Sequence, residues 1–390
     1  MRTNKSIHFN GLNGIRAICA LAVVLSHALS SLSLVIPGHE GSIFVLAGFG
    51  VTAFFALSGF LITYLLVEEK NKNGGISIKK FYIRRLLRIW PLYFGYMLLA
   101  IPADIFIFHI TDFSSIGYYL LFFPNIPTAY EMASMTKVVP IYLLGHFWSL
   151  GVEEQFYAIY PWLVKVFKSL FKILCSMLAI VLVIKLLAKL ISYKNGNLFW
   201  YSWADNTRFD AMAIGGFGAW FLKNRSEMVN KVIAQKSLQL FVILVLGLIM
   251  INKLKIPTTL AHTLIALVTV LCIYYSHLLS KPFINLRSKP FDFLGKISFG
   301  MYVYHPLVIA FAILFLKSVE LPEDLKIITF LTFVLLFTLL IAMFSYKYVE
   351  NYFLKAKARF TIIKSSDGEP VSVLPLDISF ATAGPSVVNN

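Results

Sequence analysis

Apolar stretches of roughly 20 residues recur along the chain, each long enough to cross the ~30 Å hydrocarbon core of a bilayer. Ten candidates fall at about 15–35, 43–67, 88–108, 141–164, 171–192, 207–222, 237–252, 258–279, 297–316 and 326–346. The expected fold is therefore all-α, a polytopic membrane helix bundle with about ten transmembrane helices. The composition agrees: 58% of residues are hydrophobic and 14% charged, against about 25% charged in soluble domains. The fourth stretch is the least apolar. The sixth is short and holds Gly215, Gly216 and Gly218, so its backbone is expected to pack closely against a neighbour.

The net charge of +16 would point to nucleic acid in a soluble domain. Here the basic residues gather in alternate short loops, at Lys70–Arg88, Lys165–Lys172, Lys223–Lys236, Lys281–Lys296 and Lys347–Arg359. That is the pattern of cytoplasmic loops, so both termini are expected in the cytoplasm and no nucleic-acid partner is expected. Lys253 and Lys255, on a short turn, are an exception. The implied location is the cell inner (cytoplasmic) membrane, multi-pass. Residues 1–36 read as an uncleaved first helix, since Arg16 leads into a long apolar stretch with no clear cleavage site. Cys19, Cys175 and Cys272 each fall in an apolar segment without metal-ligand spacing, so neither a disulfide nor a metal is expected. Residues 1–360 read as the transmembrane domain and 361–390 as a flexible polar tail.

Ionisable side chains in spanning segments are expensive, and each is a functional candidate. In "RAICALAVVLSHA", Arg16 and His27 are eleven residues apart, about 20° past three helical turns. Both lie on one stripe of the first helix, about 16 Å apart along its axis. The plain alternative is a positive-inside anchor and a histidine bonded to a neighbouring helix. Arg85 and Arg88 are one turn apart and face the same way. A guanidinium pair there can grip the phosphate of a nucleotide-like ligand, or only lipid headgroups. In "GHFWSLGVEEQFYAIYP", His146, Ser149, Glu153 and Tyr157 recur at helical spacing, while Glu154 points about 100° away. Arg208 and Asp210 open the sixth stretch and can simply pair with other helices, and His305 before Pro306 reads as structural. Tyr118, Tyr119, Tyr130 and Glu131 lie in the outer segment 109–140, where they can contact a sugar or serve as ordinary interfacial aromatics.

Taken in order, "LNGIRAICALAVVLSHA", "FFALSGFLIT", "FYIRRLLRIWPLYF", "HFWSLGVEEQFYAIYP", "NTRFDAMAIGG", "LGKISFGMYVYHPLVI" and "YKYVENYF" resemble the integral-membrane acyltransferase family 3 across nearly the whole chain. That family includes bacterial O-acetyltransferases acting on lipopolysaccharide and other surface glycans. The chain departs from the family's frequent Glu-x-Pro near the end, since Asn351 and Tyr352 follow Glu350, which weakens any role for Glu350.

The resemblance implies transfer of an acyl group, expected to be acetyl, from cytosolic acetyl-CoA or another acyl-CoA. The acceptor it implies is a hydroxyl of a cell-surface glycan or lipid-linked saccharide. It makes His27 the catalytic histidine, with Arg16, Arg85 and Arg88 as cationic partners toward the CoA phosphates. On chemical grounds His27 suits general-base work near neutral pH, and Glu153 is expected to orient it and stabilise its imidazolium. Trp148, Ser149, Arg208 and Asp210 are the further substrate or oxyanion candidates. Direct transfer and a covalent acyl-histidine intermediate both fit. An exporter of a glycan precursor would use the same buried polar groups without making bonds.

Overall fold

The computed structural model describes residues 9–36, 46–110, 112–135, 138–250, 256–279 and 285–363. Lys253 and Lys255, and nearly all of the expected tail, lie outside the described residues. No strand occurs among the described residues. In hydrocarbon each backbone N–H and C=O must be paired within the protein, which helices do locally.

Seven helices are long and apolar enough to cross a membrane on their own. They are α1 (Leu12–Ser30), α2 (Leu46–Asn73), α3 (Ile78–Phe106), α7 (Leu170–Asn195), α12 (Thr258–Leu278), α13 (Lys289–Lys317) and α14 (Glu323–Ser345). An eighth span arises if α10 (Ser226–Ile233) and α11 (Lys236–Met250), bent by 71° at their junction, count as one. Two of the ten expected spans fall short of that standard. The helix α6 (Trp148–Val166) carries Glu153, Glu154 and Lys165. The helix α9 (Phe209–Asn224) has 16 residues, about 24 Å of rise.

Boundaries also move. The third span was expected to begin at residue 88, but α3 starts at Ile78 because buried Phe81 continues the helical pattern through the basic residues. Arg84, Arg85 and Arg88 are therefore carried within α3, not at its rim.

Burial sorts the helices into centre and periphery. Over the apolar window of α2, 72% of residues are buried, against 11% for α7, whose Leu182, Val183, Leu186 and Leu187 point outward. Such an apolar exterior is the surface a bilayer covers. Because lipid tails are as apolar as leucine, helices associate there through close packing and interhelical hydrogen bonds. The α2–α9 crossing uses close packing, and hydrogen bonds tie each of its two helices to a third. A Cβ built on Gly59 would collide with the Met212 carbonyl, and one on Gly215 with the Ala56 carbonyl. Beside them Thr63 Oγ1 and Tyr160 OH pair at 2.7 Å, and Tyr274 OH donates to the Gly218 carbonyl at 2.6 Å.

The segment holding α4 (Ile116–Leu120) and α5 (Asn125–Met132) was expected to lie on the outer side, a placement that its contacts do not address. It packs against the middle of α3 and α6. Phe122 stacks on Trp90 at 5.4 Å and meets Tyr93 at 4.7 Å, while Gln155 Nε2 donates to its carbonyl at 2.7 Å. Phe122 adopts φ 60°, a left-handed conformation uncommon for a bulky residue, and these contacts hold it there. Tyr119 is fully buried: its hydroxyl accepts from the Ile141 N–H at 3.2 Å and its carbonyl accepts from Tyr93 OH at 2.9 Å. It is a structural residue, unavailable for the sugar contact that the sequence allowed.

Candidate active site

Arg16 and His27 both project from α1, but into different cavities. The first cavity is bounded by Arg16, Arg85, Arg88, Ser58, Glu153 and Tyr157, contributed by α1, α2, α3 and α6. The arginines beginning at Arg84 divide by partner. Arg84 turns away to Glu69 at 3.1 Å and to the Phe360 carbonyl at 3.1 Å. Arg88 lies 3.6 Å from Glu350 and its guanidinium sits over Phe299 at 5.5 Å. Arg85 lies near the rings of Tyr157 (5.4 Å) and Phe81 (5.7 Å), and its buried Nε has no partner. Among the described residues Arg85 makes no ion pair with a carboxylate. Arg16 donates to Asn13 Oδ1 at 3.2 Å, and Asn13 is tied by its amide to Asp292 at 2.8 Å. Three guanidiniums thus face one cavity containing a single carboxylate, Glu153, with Glu350 behind Arg88. Such a site favours an anion able to accept several hydrogen bonds.

Glu153 was expected to orient His27, and the geometry differs. Its Oε1 accepts short hydrogen bonds from Ser58 Oγ and Tyr157 OH, holding α2 to α6 beside the arginines. The partner of His27 is His305: His27 Nδ1 and His305 Nε2 are 2.7 Å apart with their rings stacked. Glu154 faces another way, into a lateral groove where its Oε2 accepts from Trp90 Nε1 at 3.3 Å.

The second cavity is bounded by His27, His146, His305, Ser30, Ser31 and Tyr142. His146 lies in a 3₁₀ segment, Tyr142–Phe147, ahead of α6. The change of pitch separates it from Ser149, Glu153 and Tyr157, with which simple helical spacing had grouped it. Between the cavities, Ser149 Oγ pairs with Tyr302 OH at 2.6 Å, and Tyr302 OH donates to the His146 carbonyl at 2.8 Å. Ser149 lines the first cavity, and its hydroxyl lies between Tyr302 OH and the His146 carbonyl, to which it can donate at 3.4 Å.

The other candidates line neither cavity. Trp148 packs edge-on to Phe55 and under the Arg208 guanidinium at 5.9 Å. Arg208 is buried, with Thr52 Oγ1, His262 Nδ1 and the Gly48 carbonyl around it. Asp210 pairs with Lys185 at 2.7 Å. Among the described residues no set of three His, Cys, Asp or Glu side chains is placed to hold a metal ion.

Two groups at the cavities were discounted from sequence. Glu350 is buried at a π-helical turn, Tyr346–Glu350, that continues α14. Such turns recur at functional sites, but the missing Glu-x-Pro pattern had argued against it. His305 is fully buried, and its contact with His27 joins residues 278 apart in sequence.

Comparison with known proteins supplies a family. A Staphylococcus aureus (strain COL) protein named "Putative O-acetyltransferase" is 27% identical over 370 residues, covering 90% of this chain and 58% of that protein. O-acetyltransferase OatA of Staphylococcus aureus (strain NCTC 8325 / PS 47) is 24% identical over 369 residues, covering 87% of this chain and 56% of the relative. Peptidoglycan O-acetyltransferase OatA of Listeria monocytogenes is 29% identical over 170 residues, covering 40% of this chain and 24% of the relative. The chain spans a little over half the length of the staphylococcal relatives it matches. No solved structure matches it. The acyltransferase domain profile matches residues 9–347, and the chain belongs to that acyltransferase family.

Proposed function

We propose that the protein is a membrane O-acyltransferase that moves an acetyl group from cytosolic acetyl-CoA to a hydroxyl of a cell-surface glycan or lipid-linked saccharide. It would work in the cell inner membrane, with both termini cytoplasmic, residues 1–360 forming the transmembrane domain and residues 361–390 a polar tail. The observation that carries this reading is the division of one helix face between two cavities, arginines in one and histidines in the other. Family membership and the O-acetyltransferase names of its relatives support the same chemistry.

Arg16, Arg85 and Arg88 would hold the phosphates of CoA at the cytoplasmic side. The extended pantetheine arm can then carry the thioester toward His27, about 16 Å away along α1. His27 removes the proton of the acceptor hydroxyl as its oxygen attacks the thioester carbonyl. The new C–O bond forms, the C–S bond breaks, and the thiolate of CoA takes the proton back from His27. Glu153 holds Ser58 and Tyr157 in place and offsets part of the arginine charge. Of the four further candidates, Ser149 alone borders the first cavity, where its hydroxyl can stabilise the oxyanion by turning from its present protein partners to the substrate.

The test is purified protein in lipid nanodiscs with radiolabelled acetyl-CoA and extracted lipid-linked saccharides. Release of CoA with label appearing as an alkali-labile ester is the expected result. Saccharide movement across proteoliposomes without CoA release would overturn it in favour of an exporter.

A further inference from the structure

Within α13, Pro306 has no N–H, so the carbonyl of Tyr302 four residues earlier loses its helical partner. His305 fills the gap, with its Nδ1 2.7 Å from that carbonyl oxygen. A carbonyl only accepts, so the proton sits on Nδ1 of His305. A neutral imidazole carries one N–H, which leaves Nε2 of His305 as an acceptor. Its partner at 2.7 Å is Nδ1 of His27, which must then be the donor. His27 therefore carries its proton on Nδ1 and presents a bare Nε2.

Among the described residues, nothing in the protein competes for that nitrogen. Nε2 of His27 has no hydrogen-bond partner there, and His27 borders the second cavity. The two serine hydroxyls of the cavity are already spent: Ser30 Oγ donates to the Ser26 carbonyl and Ser31 Oγ to the His27 carbonyl, both at 2.8 Å. His146, the third histidine of the cavity, donates its Nε2 proton to the Val303 carbonyl at 3.2 Å. His305 itself is fully buried, and both of its ring nitrogens already have protein partners.

We infer that His305 is a positioning residue: pinned by the carbonyl that Pro306 leaves free, it fixes His27 in the Nδ1–H tautomer and aims Nε2 at the acceptor hydroxyl. This rests on the reading of His27 as the base. The His305 imidazole fills the place an orienting carboxylate takes in a hydrolytic triad. When Nε2 accepts the proton, the His27 Nδ1–H bond to His305 becomes charge-assisted, and neither ring has to rotate.

Nitrogen-15 spectra of histidine-labelled protein, assigned with His27→Gln, read the tautomer without any turnover. The expected spectrum shows His27 protonated at Nδ1 and bare at Nε2. Two substitutions separate positioning from folding. In His305→Gln the side-chain oxygen replaces Nε2 and still accepts from His27, so kcat should stay within about tenfold of wild type. In His305→Asn the amide keeps the Tyr302 contact but withdraws the acceptor, so kcat should fall about 10²-fold while KM for acetyl-CoA holds. A wild-type spectrum with His27 protonated at Nε2 overturns the inference. So does an Asn variant with unchanged kcat, or equal losses in both variants. An active His27→Ala protein would instead overturn the base assignment, leaving the tautomer of the pair as a separate, measured fact.

Discussion

Arg16 and His27 share one face of α1, yet Arg16 opens into the cavity of Arg85, Arg88 and Glu153, and His27 into that of His146 and His305. Ser149 and Tyr302 border the first cavity and make a polar contact at 2.6 Å, with Tyr302 bonded in turn to the carbonyl of His146 from the second. In the proposed reaction this pair lies between the arginines that would hold the donor and His27. On the proposed reading, one helix sets both the separation of the donor and acceptor sites and their alignment.

Replacing His27 by Ala should leave insertion intact and reduce acyl transfer by about 10²–10⁴-fold, the usual contribution of a positioned general base. The stability cost should be modest, about 1–3 kcal/mol, from leaving Nε2 of His305 without its donor. Turnover and thermal unfolding in detergent, measured on the same preparation, check both parts. A stable variant with wild-type turnover would remove His27 from the chemistry.

Much of this site was legible in the sequence because membrane segments make polar residues conspicuous. The Arg16–His27 stripe and the common direction of Arg85 and Arg88 follow from helical geometry alone. The glycines at 215, 216 and 218 were expected to mark a close backbone approach, and Gly215 lies against α2. Other features depended on information that spacing does not carry. A 3₁₀ turn at Tyr142–Phe147 breaks the period on which His146 had been grouped with Glu153. The partner of His27 lies in α13, and no local pattern joins the two. The Pro306 that frees a carbonyl for His305 was in view, but its consequence needs the His27 contact to become visible.

Glu153 and Glu154 should respond differently from an orienting acid and a bystander. Glu153→Gln keeps an oxygen for Ser58 and Tyr157, so stability should hold and the His27 tautomer should not change. Glu153→Ala strands two hydroxyls, one on buried Tyr157, at a cost of about 1–3 kcal/mol. Glu154→Gln should be mild, since its amide oxygen still accepts from Trp90. A shift of the His27 spectrum in Glu153→Gln would show that the carboxylate acts on the base after all.

The α2–α9 crossing leaves no room for a methyl group. Gly215→Ala should push the helices apart and lower stability by about 1–3 kcal/mol, as overpacking does in tight interfaces. Gly247→Ala in α11, where a Cβ meets nothing within 4 Å, is the matched control and should be neutral. Equal unfolding temperatures for the two variants would contradict the close approach.

Arg85 and Arg88 are one turn apart, but their substitutions should fail in different ways. Arg85 makes no direct ion pair among the described residues, so Arg85→Ala breaks no salt bridge, although it withdraws a positive charge from the neighbourhood of Glu153 and Glu154. It should unfold like wild type while its KM for acetyl-CoA rises about tenfold or more, the loss of a charge-assisted contact worth about 1.5–3 kcal/mol. Arg88→Ala instead leaves Glu350 buried beside no cation. Breaking a buried pair costs about 3–5 kcal/mol, and because Arg88 is about a fifth exposed the loss belongs at the low end. Adding Glu350→Gln to Arg88→Ala should then recover stability but not donor binding. A donor lacking the nucleotide phosphates should show little difference between Arg85→Ala and wild type. If Arg85→Ala weakens the truncated donor as much as acetyl-CoA, the guanidinium does not read phosphate, and the first cavity needs another ligand.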